Sequence, residues 1–300
     1  MSRTTRNWLL AAAVLFLVGS LILGGVFMMV QWDFSKLGTT QYVTNSYDIT
    51  EEFANITIIS KTVDVILQPS ADEKTTVTCR DRENAQHRIS VKNGSLEINL
   101  EDRQKWYENV GVNVGKPCIT LSVPQGRYGS LQIQATSGDV TLVEGFSFER
   151  MAITVSTGDL SSSAAAETMK LKTTTGDITL QNFFAGALEL SVNTGDVKLE
   201  DVRCASLQAE GRTGDMKLRN VIATERMSLS VTTGDVRFDG CDGAQMKTTA
   251  TTGSITGSLL SPKIFFANSN TGSVDVPRTT TGGTCELTTN TGSIRITITE

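Results

Sequence analysis

Aromatic residues are scarce in this chain, at 6% of 300, and so are proline, with five, and histidine, with one. The net charge of −5 is spread over both signs. No basic field exists to hold a phosphate backbone, which excludes nucleic acid as a partner. The lone histidine, His87, lies beside Arg88 in the polar stretch RDRENAQHR and is expected to be a solvated loop residue. With no second histidine there is no histidine cluster for a metal, and neither a G-x-S-x-G elbow nor a phosphate-binding loop occurs. Five cysteines (Cys79, Cys118, Cys204, Cys241 and Cys285) show no CxxC or other metal spacing. No cofactor, no metal and no catalytic residues are expected, so the chain reads as a non-enzyme.

What the chain does have is threonine, 41 residues of it, together with 26 glycines. That composition suits stacked β structure with many tight turns. It also has one long apolar run, WLLAAAVLFLVGSLILGGVFMMV, over residues 8–30. Twenty-three uncharged residues span a bilayer core of about 30 Å with some tilt. A cleaved secretory signal would have a shorter apolar region and a small-x-small site. The run ends instead in Met28, Met29, Val30, Gln31 and Trp32, so an uncleaved anchor is expected. Arg3 and Arg6 precede the run, while Asp33 and Lys36 cancel after it. The positive-inside bias then leaves residues 1–7 as a cytoplasmic tail and puts the rest of the chain outside, with Trp8 and Trp32 at the interfaces. Residues 31–47, polar and without periodicity, read as a tether.

The strongest signal is a repeat. The dipeptide [ST]-G, followed by Asp or Ser and then an aliphatic residue or Met, places glycines at Gly138, Gly158, Gly176, Gly195, Gly214, Gly234, Gly253, Gly272 and Gly292. Successive spacings are 20, 18, 19, 19, 20, 19, 19 and 20. Apolar residues alternate before each glycine (Leu188, Leu190, Val192) and after it (Val197, Leu199), with polar residues between. Strict alternation on both sides of a corner predicts two strands per unit, each with one inward face. A further apolar residue seven or eight places on (Phe146, Phe184, Val202, Val221, Cys241) predicts a second inward corner. Such a unit buries its apolar face only by stacking on its neighbours, so the fold class is all-β, a β-solenoid of nine coils of 19–20 residues over 131–300.

Residues 48–130 keep strand patterning without the period and are expected to form irregular first coils and an N-terminal cap. Thr62-Val63-Asp64-Val65 looks like a degenerate corner, and Asn93-Gly94 marks a turn. Cys204, Cys241 and Cys285 fall too far apart in the stack to pair, whereas Cys79 and Cys118 remain open to pairing. The corner residues Asp139, Asp159, Asp177, Asp196, Asp215 and Asp235 would stack into a carboxylate row. A cation ridge is one reading of that row. Turn chemistry is the favoured one: Gly supplies the positive φ, and Asp and Thr side chains bond backbone amides. Ser254, Ser273 and Ser293 take the Asp place in the last three coils, which suits an amide acceptor and not a calcium ligand.

An apolar N-terminal run, a β-rich lead-in and T-G-D-[VIL] corners such as Thr157-Gly158-Asp159-Leu160 and Thr194-Gly195-Asp196-Val197 together resemble the bacterial putative-adhesin family of membrane-anchored β-strand-repeat proteins. That family is defined as a domain of unknown function. The resemblance covers roughly residues 48–300 and implies a bacterial envelope location. A binding, adhesin-like or scaffolding role outside the cell is therefore expected. Its partners are the lipid bilayer through residues 8–30, an envelope ligand or membrane protein, and self-association. An envelope-stress sensor or regulator acting on membrane proteins is the alternative. A polysaccharide-active β-helix enzyme ranks lower, because coils of 18–20 residues without insertions leave nothing to wall a cleft.

Overall fold

The computed structural model describes residues 3–29, 42–102 and 115–299. Helix α1 (Arg3–Met29) contains Thr5–Gly25, a stretch long and apolar enough to cross a membrane, and fits a transmembrane or signal-anchor segment. Every side chain described along it is exposed.

Seven strands form the lead-in: β1 (Tyr42–Ile49), β2 (Asn55–Thr62), β3 (Asp64–Pro69), β4 (Thr75–Arg82), β5 (Ala85–Lys92), β6 (Ser95–Asp102) and β7 (Cys118–Val123). With the strands after them they build a β-solenoid of about eight turns. The repeating strands pair in parallel and in register, so that like residues stack in columns. One column runs Leu171, Leu190, Ala209, Leu229, Thr248, Leu287 along the wall before the corner. Another runs Ile178, Val197, Met216, Val236, Ile255, Ile294 along the wall after it. Nearly all of these are buried, and the columns from both walls fill one continuous core. Each coil adds ~4.8 Å to the stack and completes the backbone bonding of the coil before it.

The degenerate corner belongs to the solenoid proper. Thr62 pairs with Ser137, and Val65 with Val140, so β2 and β3 form the first coil. The other lead-in strands close this end: β4 lies antiparallel to β7 and β1 on one wall, and β5 lies antiparallel to β6 on the other. The tether expected over 31–47 is partly strand, because β1 pairs with β4 from Tyr42↔Arg82 to Ile49↔Thr75. Tyr42 is held by Arg80 over its ring at 5.3 Å and by its hydroxyl donating to the Gly115 carbonyl. The rest of the tether, with Trp32, Asp33 and Lys36, lies outside the described residues.

The second corner also differs in detail. Asn182, Asp201 and Asn220 adopt left-handed φ of 58°, 54° and 50°, and Gly240 takes the same place at 60°. That residue turns the chain, and the one after it points inward. The inward aromatic is thus Phe183, whereas Phe184 is 70% exposed. Short polar Asn and Asp side chains tolerate this conformation at modest strain.

Nine glycine corners make fewer than nine full turns, and the last two coils exchange places. Residues Met246–Thr252 pair with Cys285–Thr291, and only the far side of that strand pairs with Phe265–Thr271. The Gly272 coil is therefore terminal, and its second strand is just Val274–Asp275. Its flanking prolines, Pro262 and Pro277, cannot donate to a ladder, which suits an edge and not a central coil. The coil carrying Cys285, Leu287, Ile294 and Ile296 goes inside, where all four are buried.

Candidate functional site

Three features are candidates: the row of corners, a buried polar cluster in the N-terminal cap, and a hollow on the coil wall. At the corners the glycines hold φ between +127° and +149°, and each main chain packs directly on that of the preceding coil. The aspartates bond across coils. Asp139 N donates to Asp64 Oδ1 at 3.0 Å, Asp196 N to Asp177 Oδ1 at 2.8 Å, Asp215 N to Asp196 Oδ1 at 2.9 Å, and Ser254 N to Asp235 Oδ1 at 2.8 Å. Serine continues the row, with Ser293 N donating to Ser254 Oγ at 3.2 Å and Ser273 N to Ser293 Oγ at 3.3 Å. Second carboxylate oxygens meet ammonium groups: Lys198 at Asp177, and Lys217 at both Asp196 and Asp215. Burial raises the Asp196 pKa, but the Asp215 amide and Lys217 outweigh it and hold the carboxyl below its usual 3.8. Such an array fastens coil to coil. The threonines beside it, from Thr157 to Thr291, are exposed, and their backbone groups join the same ladder.

The second feature is a cluster that the sequence reading did not assemble. His87 is not a solvated loop residue: it lies on β5, 4% exposed, facing inward. Its Nδ1 is 2.6 Å from Asp81 Oδ1, its Nε2 is 2.8 Å from Ser60 Oγ, and its main-chain N–H donates to Asp81 Oδ2 at 2.7 Å. Asp81 is 1% and Ser60 7% exposed. Cys79, two residues before Asp81, points the same way because side chains alternate along a strand. Burial, with the Asp81 carboxylate beside it, pushes the Cys79 thiol up to about 12. Arg80 and Cys118 are opposite neighbours on the outer face, so Cys79 and Cys118 point to different sides, and all five cysteines are free. Ser60, His87 and Asp81 have the connectivity of a hydrolytic triad, but Ser60 is in the core column beside Ala135, where a substrate carbonyl would have to displace the first coil. The period-two placement of Cys79 and Asp81 was the only sequence signal.

The third feature is a hollow of about 300 Å³ on the wall before the corners, crossing four coils. Lys172, Asn193, Glu210, Arg212 and Thr232 stand around it, all exposed. It offers both charges, an amide and hydroxyls along the stack axis, with no aromatic platform.

The sequence profile of the Toastrack DUF4097 family matches residues 53–258 and again 188–300. No curated protein matches the chain. Among solved structures, a putative adhesin from Parabacteroides distasonis superposes with a TM-score of 0.56 at 11% identity, covering 87% of this chain and 98% of its own. A putative adhesin from Parabacteroides merdae does so with a TM-score of 0.53 at 12% identity, covering 87% and 98%. At these identities the likeness is one of fold.

Proposed function

The chain belongs to the Toastrack DUF4097 family, and from that premise we propose that it is an extracytoplasmic binding or scaffolding protein of the bacterial envelope, anchored by α1, whose coil wall receives an extended polar chain. The hollow across four coils carries this reading. Its exposed Lys172, Glu210 and Arg212 are set by rigid strands at the coil spacing, a geometry that matches a ligand laid along the stack. Both structural neighbours are described as putative adhesins. The apolar helix gives the domain a tie to the bilayer, leaving the walls to face outward.

Charge removal on this wall is the test. Glu210→Ala with Arg212→Ala changes two exposed side chains and should leave the melting temperature within a degree or two, since surface substitutions of this kind are near neutral. Co-sedimentation of the purified protein with isolated cell-wall fractions should fall at least about tenfold, as loss of two anchoring polar contacts implies. Unchanged co-sedimentation in the double variant would remove the hollow from the account.

A further inference from the structure

We propose that Cys79, Asp81 and His87 form a binding site for a borderline divalent transition-metal ion of the zinc class. The three offer a thiol sulfur, a carboxylate oxygen and an imidazole nitrogen, with ligand atoms within 4.8 Å of one another, and all three residues are buried. Thiolate, imidazole and carboxylate are the ligands such an ion takes, usually in tetrahedral geometry with a fourth place left for water. The supporting groups are in position as well. A metal-bound histidine holds its other ring nitrogen with a hydrogen bond, and here Nε2 faces Ser60 Oγ at 2.8 Å, leaving Nδ1 toward Asp81 and Cys79. The His87 main-chain N–H fixes Asp81 through Oδ2, which aims Oδ1 at the same point.

Charge balance selects the ion. Binding releases one proton, that of the Cys79 thiol, as the metal–sulfur bond forms; the imidazole keeps its own proton on Nε2, donated to Ser60 Oγ, so that the Nδ1 lone pair bonds the metal. A divalent ion with one thiolate, one carboxylate and a neutral imidazole is neutral overall. A monovalent or trivalent ion would leave net charge in a dry site, which is strongly disfavoured. Over the turn joining β4 to β5, Glu83, Asn84, Gln86 and Glu101 line a hollow of about 230 Å³. The ion would link β4 to β5, the pair that closes the end of the stack, with Ser60 of the first coil bonded to its histidine.

Cobalt(II) titration of the full chain in detergent tests this. One equivalent should bind with a thiolate-to-cobalt charge-transfer band and the d–d spectrum of a tetrahedral ion, and zinc should displace it. Cys79→Ser should abolish the charge-transfer band. Ser60→Ala should weaken binding roughly 10–100-fold, the usual effect of losing a group that orients a ligand. Cys118→Ser should behave as the unaltered protein. X-ray absorption on the zinc-loaded unaltered chain needs no variant to fold: one sulfur at about 2.3 Å with nitrogen and oxygen at about 2.0–2.1 Å is expected. A shell without sulfur, no charge-transfer band in the unaltered protein, or a band kept in Cys79→Ser overturns the site.

Discussion

Gly195→Val should destabilise the solenoid by roughly 3–5 kcal/mol, near the upper end of single substitutions. Gly195 holds φ at +144°, where a β-branched side chain is strained by about 1–3 kcal/mol. A side-chain carbon there would also sit 2.2 Å from the Gly176 carbonyl oxygen, which is backbone and itself part of the ladder. Relief requires parting two coils, and that strips hydrogen bonds and exposes core. Asp196→Ser, one residue on, should lose only about 1 kcal/mol, the difference between a charge-assisted and a neutral hydrogen bond. Serine makes the equivalent bond at Ser254 and Ser293. Thermal unfolding of both variants decides the matter, with calcium added and with a calcium-selective chelator. Equal stability of Gly195→Val and the unaltered chain would contradict the corner geometry. A calcium-dependent rise in melting temperature that vanishes in Asp196→Ser would make the row a cation site.

Asp242→Ala should cost about 3 kcal/mol. Lys263 opens the strand of the terminal coil with its side chain 4% exposed and its ammonium 2.5 Å from Asp242 Oδ1 and 2.8 Å from Ser261 Oγ. Removing the carboxylate leaves a buried cation without its counter-charge, an effect of about 3–5 kcal/mol in fully buried pairs. The Asp242 side chain is about a quarter exposed, which places the expectation at the lower end. Asp242→Ala combined with Lys263→Met should recover most of the loss, since a buried apolar pair needs no counter-charge. The acid limb follows from the same groups. Burial raises the Asp242 pKa, but Lys263, Ser261 and the Gly243 amide together hold it below 3.8. A depressed folded pKa contributes stability that is present above pH 3.8 and lost as pH falls through the folded value. Chemical unfolding at neutral and acid pH should therefore separate the unaltered chain from Asp242→Ala at neutral pH and bring them together in acid.

The period was legible because one physical need recurs in every coil. Only glycine lets successive corners approach backbone to backbone, and only a short acceptor reaches the next coil's amide, so Gly195-Asp196 reappears as Gly214-Asp215 and Gly253-Ser254. The second corner has no such restriction. Asn182, Asp201, Asn220 and Gly240 all satisfy a left-handed turn, and this variety hid the position and shifted the inward aromatic from Phe183 to Phe184 in the sequence reading. Coil order at the end was hidden for another reason. Both final coils carry the same corner, and what separates them is the weaker signal of Pro262 and Pro277 at the edge strand. His87 misled because its neighbours Gln86 and Arg88 are polar. Alternation along β5 puts the histidine inside and Arg88 outside, and the ion pair of Arg88 with Glu101 lies on the outer face. A cluster drawn from β2, β4 and β5 leaves only the two-residue spacing of Cys79 and Asp81 on β4, and nothing in the chain ties that pair to Ser60 or His87.

Alkaline phosphatase fused after residue 300, active only outside the cytoplasm, tests anchoring and orientation together when it is assayed in alkali-washed membranes. The proposed arrangement, with α1 in the bilayer and the rest of the chain sent across it by the positive-inside bias, predicts strong activity that stays with the washed membranes. Activity recovered in the soluble fraction, or no activity from a fusion that is made in full, would contradict it.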